Sequence, residues 1–258
     1  AIFTAGPGTY TLTWTVNGCS NDIVVTITDC DKVDFDGTDD YVDFNDNYDL
    51  NGAFSFEVWV KPESTNGTRT IFSKRDSNFS GSAYGYDLKI KDGIISFNWD
   101  KSGTLSSSPY TINTNRWYHI ALTHSAAGEY RLYIDGIFIK SAGGDKPGNN
   151  SNKAILGAMD NNVTGEPVNY FNGWIEELRI WEVALNPEQI RQMMNQHIKK
   201  ADASKIVGEI IPLNIPNLDW NNLLGYYRMD DIGCGNLRPY NDGVNYVGFE
   251  GKLNNITT

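Results

Sequence analysis

The chain is poor in the features that would build a disulfide scaffold, a membrane span or a nucleic-acid groove. Cysteine is scarce: Cys19, Cys30 and Cys234 are the three in 258 residues, too few for a cross-linked scaffold and odd in number, so at least one sulfur has no partner within the chain. Cys19 with Cys30, or Cys30 with Cys234, are the alternatives. Basic residues are also few, 21 Lys and Arg against 32 Asp and Glu, giving a net charge of −11. That balance repels phosphate backbones and anionic head groups, so neither nucleic acid nor membrane insertion is expected. No apolar run approaches the roughly 18 residues that span a bilayer, and residues 1–30 lack the charged start and apolar core of a signal peptide. The sequence therefore reads as a piece of a longer protein. Of the histidines, His119 sits in a strand pattern and His124 begins a loop, with no second His or Cys at metal-ligand spacing; both are read as structural.

What is present favours strands. Aromatic residues make up 12% and glycine contributes 25 positions, a mix suited to strands and turns. The length accommodates one large β-sandwich and a fragment of something else. An all-β protein with one real helix is the expectation.

The most informative stretch is Trp174-Ile-Glu-Glu-Leu-Arg-Ile-Trp181. Strict alternation places Trp174, Glu176, Leu178 and Ile180 on one face and Ile175, Glu177, Arg179 and Trp181 on the other. Both faces carry large apolar groups, so the strand should be covered on both sides. Glu176 and Glu177 then require a cation, an arginine or backbone donors. Beyond the strand, Asn186, Pro187 and Gln189 form a capping-box start. The apolar spacing of Ile190, Met193, Met194, His197 and Ile198 predicts a helix over about 187–203 with one buried stripe.

Four motifs occur in order: Phe35-Asp-Gly-Thr-Asp-Asp-Tyr-Val42, Phe54-Ser-Phe-Glu-Val-Trp-Val-Lys-Pro62, the pair Trp117-Tyr-His-Ile-Ala121 and Leu132-Tyr-Ile-Asp-Gly136, and the closing strand with its Ala184-Leu185 and helix. Together they resemble the LamG-like (laminin G/concanavalin A-like lectin) jelly-roll domains over residues 31–258. The resemblance implies a β-sandwich whose first and closing strands lie together and often share Ca²⁺. Four carboxylates crowd the turn around Gly37, and Ca²⁺ takes six to eight oxygens. A calcium site of Asp36 and Asp39 with Glu176 or Glu177 is the resulting expectation, against solvated turn caps as the alternative. Glu176 stands where the family has Asp. Residues 223–253 resemble a strand pair that opens such domains and are expected to complete the sandwich. In the strand Phe54–Pro62, Trp59 is read as packing.

Between Ile71 and Ile90 a polar Gly/Ser loop carries Arg75, Asp76, Asn78, Phe79, Tyr84 and Tyr86. These types suit sugar hydroxyls and a sugar's apolar face, so the set is a candidate ligand site. Asp160, Asn161, Asn162 and Glu166 offer a second oxygen-rich rim. Residues 1–30 hold two alternating runs around Asn17-Gly18, which predicts a hairpin. It resembles the last strands of an Ig-like or PKD-like repeat of bacterial surface proteins.

These resemblances imply a non-catalytic, extracellular module of a bacterial cell-surface adhesin, similar to those of gliding, type IX-secreting bacteria. Glycans or surface polysaccharides and neighbouring modules of the same parent chain are the implied partners. A structural spacer is the alternative. A glycoside hydrolase fits less well, because retaining chemistry wants two carboxyls about 5–5.5 Å apart. Glu176 and Glu182 are six residues apart on one strand, and Glu176 and Glu177 are assigned to opposite faces.

Overall fold

The computed structural model describes residues 8–16, 19–27, 33–78, 84–233 and 235–256. Cys30, Cys234, Phe79 and the Asn17-Gly18 turn lie outside them, so both disulfide pairings and the turn type fall beyond the described residues. Two antiparallel sheets form a jelly-roll sandwich. The front sheet runs Ile137–Gly143, Glu129–Ile134, Tyr118–His124, Phe54–Pro62, Asn172–Trp181, Leu223–Tyr227, and the short strand Asp34–Asp36 pairs with the start of Asn172–Trp181. The back sheet has nine strands, with Tyr41–Asp43, Thr68–Lys74, Tyr86–Lys91 and Ile94–Trp99 among them.

Period-two alternation builds the core between the sheets. Phe54, Phe56, Val58 and Val60 point inward, as do Tyr118, Ile120 and Leu122 on the neighbouring strand, against Phe72, Leu88 and Phe97 of the back sheet. The C-terminal residues complete both sheets. Leu223–Tyr227 pairs with the closing strand through Leu178 opposite Tyr227, and Gly251–Asn254 pairs with Tyr41–Asp43 through Leu253 opposite Val42.

A second, smaller core lies on the outer face of the front sheet. There Ala121, Tyr133, Trp181 and Tyr226 meet Ile190 and Met193 of the helix, together with Ile198, Ile206 and Ile215 of a three-stranded sheet. The helix spans Pro187–Met193, shorter than the sequence pattern predicts. Asn186 accepts from the Glu188 and Gln189 amides and Gln189 returns the bond, so the expected capping box is present. The helical stripe ends at Met193. Ile198 instead belongs to the strand Ile198–Lys200, which pairs Ile198 with Gly208, and the side chain of His197 is 45% exposed and not part of a buried stripe. The N-terminal strands Gly8–Val16 and Cys19–Ile27 pair only with each other among the described residues.

Candidate functional site: a cleft where the outer cover ends

The closing strand departs from strict alternation. Glu176 pairs with Trp59 and Arg179 with Glu57, so two residues, Glu177 and Leu178, stand against the single Val58. This is a β-bulge, and Glu177 occupies its left-handed position at φ 53°. The bulge resets the parity. Ile175, Leu178 and Ile180 enter the main core, while Trp181 joins the outer core and both Glu176 and Glu177 reach the outer side. The expectation that adjacent glutamates face opposite ways is corrected by this one extra residue.

On the outer side lies an open cleft of about 430 Å³, lined by Trp59, Trp117, Glu176, Glu177, His197 and Ile210 with the chain turn at Met194–Gln196. Trp59 lies opposite His119, and Trp117, two residues before His119 and immediately ahead of the strand Tyr118–His124, lines the same cleft. The two indoles are partly buried. Trp59 Nε1 donates to Met194 O at 2.6 Å and its ring tilts against His119 at 5.4 Å, which fixes one indole plane.

Beneath the cover the sheet carries charges. Arg179 is 1% exposed and donates to the carbonyls of Met193 (3.0 Å) and Gln196 (2.6 Å), and to Glu177 Oε2. The guanidinium thus serves the carbonyl of the last helical residue and one in the turn that follows the helix. Tyr226 donates to Glu177 Oε2 at 2.9 Å and Trp181 Nε1 to Glu57 Oε2 at 3.0 Å. Burial pushes the Glu57 carboxyl up from 4.5 to about 7, opposed by the Arg179 charge and the Trp181 hydrogen bond. Burial, aided by Arg179, pushes His119 down from 6.5 to about 3, so its imidazole is neutral. Glu177 Oε1 is buried with no hydrogen-bond partner. His197 Nε2 stands 3.6 Å from it, beyond hydrogen-bond length.

The residues expected to share a cation are split between two places. Asp36 and Asp39 gather with Asp40, one carboxylate oxygen of each lying within 4.8 Å of the others. Asp36 Oδ1 accepts from the Thr38 amide at 2.7 Å, and Asp40 Oδ2 accepts from the Asp36 amide at 2.8 Å. Burial raises the Asp40 pKa, and the charges of Asp36 and Asp39 add to the rise. This turn meets the closing strand at Asn172, which lies opposite Asp36 and donates to its carbonyl. Glu176 is four residues further on, roughly 13 Å at about 3.3 Å per residue. Neither glutamate joins the turn, because Glu176 lines the cleft and Glu177 is held by Arg179 and Tyr226.

The expected sugar-binding loop is also dispersed. Arg75 is 3% exposed and pairs with buried Asp87 at 2.9 Å, as well as with the Asp100 carbonyl. Tyr86 alternates inward, stacks on Phe72 and donates to the Tyr48 carbonyl at 2.8 Å. Neither side chain is available to a ligand, a correction imposed by parity for Tyr86 and by the buried Asp87 charge for Arg75. Asp76 Oδ1 accepts from the amides of Asn78 and Asn162, and Asn78 donates to Asn161, so these residues fasten two loops together. Tyr84 is half exposed, with its ring over Gly148.

Sequence reasoning missed the cleft. The sequence pattern reads Trp59 as packing and attaches no role to Trp117; in the structure both line the outer cleft. The parity that Trp59 shares with Glu57 is the available signal.

The comparisons agree with the architecture. The sequence pattern of the concanavalin A-like lectin/glucanases superfamily matches residues 36–191, so the chain is a lectin-type jelly roll and belongs to that superfamily. The rat (Rattus norvegicus) protein named Sushi, von Willebrand factor type A, EGF and pentraxin domain-containing protein 1 is 33% identical over 93 residues, which are 32% of this chain and 2% of that protein. The chain thus spans only a small part of that relative's length. Among solved structures, a Bacteroides ovatus protein described as a carbohydrate-binding candidate shares 18% identity with a TM-score of 0.61, covering 94% of this chain and 64% of that one. The CBM40 module of a Ruminococcus gnavus sialidase, solved with α2,3-sialyllactose, shares 13% identity with a TM-score of 0.51, covering 62% of this chain and 96% of that one. Identities this low speak for the fold alone.

Proposed function

We propose that the domain is a non-catalytic glycan-binding module that takes its ligand in the outer cleft. The observation that carries this reading is the pair of partly buried indoles, Trp59 and Trp117, beside polar Glu176, Asn195 and His197 in one open cleft. Indole faces cover the apolar face of a sugar ring, and nearby side chains meet its hydroxyls. Catalysis is disfavoured by the carboxylates themselves. Glu57 is fully buried under Trp181, and Glu177 is 8% exposed and engaged by Arg179 and Tyr226. Glu176 is the remaining carboxylate of the cleft lining, so an acid and a partner do not flank an entering glycosidic bond.

The self-contained hairpin before the sandwich supports one module among several in an extracellular, cell-surface adhesin of gliding bacteria, following an Ig-like or PKD-like repeat. Among the described residues no helix is long and apolar enough to cross a membrane. Calcium belongs to this reading in a reduced form. Its ligands are the carboxylates of Asp36, Asp39 and Asp40, a donor type suited to a hard cation, and its role is to steady the turn away from the glycan.

A glycan-array screen of the domain, followed by product analysis of each hit, tests the proposal. Retained glycans without cleavage are expected. Silence across the array makes the domain a spacer, and cleavage makes it an enzyme; either result ends the proposal.

A further inference from the structure

One wall of the cleft is aliphatic, exposed and built by a turn that is firmly tied down. Between the strands Lys205–Gly208 and Asn214–Asp219, the turn 209–213 reads Glu-Ile-Ile-Pro-Leu. Its backbone is fastened to the 194–197 segment that lines the cleft. The Glu209 amide donates to His197 O at 2.9 Å, and the Ile211 amide donates to Gln196 Oε1 at 2.9 Å. Gln196 is itself buried, and its side-chain amide lies against Gly208, leaving no room there for a Cβ. Glu209 also pairs with Arg228 at 2.9 Å, and Pro212 fixes one further backbone angle. These ties hold the backbone and leave aliphatic side chains in water: Ile210 is 70% exposed and Ile211 63%. Ile210 lines the cleft with Trp59 and Trp117. Aliphatic groups held in water by an anchored turn mark a contact surface.

The geometry points to a 6-deoxyhexose, a sugar with a methyl in place of the hydroxymethyl group, as the ligand class of the Trp59/Trp117 cleft, with Ile210 as the specificity-determining residue. The inference rests on the glycan-binding reading above and narrows it. A sugar ring lying on an indole face sends its C6 group out from the ring edge, toward a side wall of the cleft. A hydroxymethyl group that meets Ile210 gives up water and finds no hydrogen-bond partner in that side chain. A methyl group in the same place buries apolar surface on both partners. The ring hydroxyls are left to the polar lining, Asn195 and His197 among it.

The test uses methyl glycosides in pairs that differ only at C6: L-fucose with L-galactose, L-rhamnose with L-mannose, and 6-deoxy-D-glucose with D-glucose. Each is titrated into the domain and followed by NMR at the indole N–H resonances of Trp59 and Trp117, which report binding in this cleft. In at least one pair the 6-deoxy sugar should bind about 10-fold more tightly. Ile210→Ser, confirmed as folded by its melting curve, should erase most of that advantage and leave the Kd of the hydroxymethyl partner within about twofold. Ile211→Ser, on the same turn but outside the lining, should keep the preference. Equal or tighter binding of the hydroxymethyl sugar in every pair that binds overturns the inference, as does a preference that survives Ile210→Ser or is lost equally in Ile211→Ser. If no member of any pair binds but another array glycan does, the 6-deoxy assignment fails and the glycan reading stands. If no glycan binds at all, both fail.

Discussion

The two faces of the front sheet are held by different physics. Inward, Phe56, Val58 and Ile180 pack among apolar neighbours, and size and shape decide the energy. Outward, one residue along the same strands, Glu57, His119, Glu177 and Arg179 are equally hidden but polar. Their burial is tolerated because each charge has a counter-charge or a donor. The contrast locates the site: it opens where the helix and small sheet stop covering the polar face, so the groups at its border are already fixed by groups beneath.

The largest effects should separate the faces. Phe56→Ala should cost about 3–5 kcal/mol by opening a cavity. Arg179→Met should cost a similar amount for another reason, because buried Glu177 loses its counter-charge and two backbone carbonyls each lose a donor. Each loss lowers Tm by about 10 °C. Adding Glu177→Gln should recover about half of the Arg179→Met loss and none of the Phe56→Ala loss. Recovery of neither, read by thermal melts, would mean that the outer face is held by packing like the inner one.

The next effect is pH dependence. Glu57 titrates near 4.5 unfolded and about 7 folded, so the folded state holds the extra proton and its contribution declines as pH rises through that window. His119 titrates near 6.5 unfolded and about 3 folded, so its contribution declines as pH falls below 6.5. Between about pH 4.5 and 6.5 the two slopes oppose each other. Glu57→Gln should therefore steepen the loss of stability on acidification in that range, and urea midpoints against pH measure it. An unchanged slope would mean that the carboxyl is not buried as described.

A milder test addresses the bulge. Deleting Glu177 leaves Ile175, Leu178 and Ile180 with an unbroken inward alternation, so a cooperative fold should persist with a lower Tm and weakened glycan binding. Aggregation of that variant would show that the bulge is needed to fold. The smallest effect belongs to the acidic turn. Calcium should stabilise by ~1 kcal/mol, about 3 °C in Tm, and Asp39→Asn should abolish the shift. Identical melts with and without chelator would remove the cation.

Much of the fold was legible because period-two alternation survives translation into structure. Phe54 to Val60, Tyr118 to Leu122 and the Asn186 cap needed only local rules. The site was less legible. Its defining event is a register shift at Glu177, which depends on the partner strand and on Arg179 anchoring the helix end. Arg75 and Tyr86 misled for a related reason. Their chemistry suits sugar, but Asp87 and Phe72 on the same pair of adjacent strands engage them instead.

The central claim, that ligand meets the outer cleft and not the polar loop, is tested most directly by one titration series. The tightest array glycan is titrated calorimetrically into the wild-type domain, Trp117→Ala and Tyr84→Ala. The account predicts at least about a 10-fold weaker Kd for Trp117→Ala, the cost of about 1.4 kcal/mol, with Tyr84→Ala unchanged. Full affinity in Trp117→Ala together with its loss in Tyr84→Ala would contradict it.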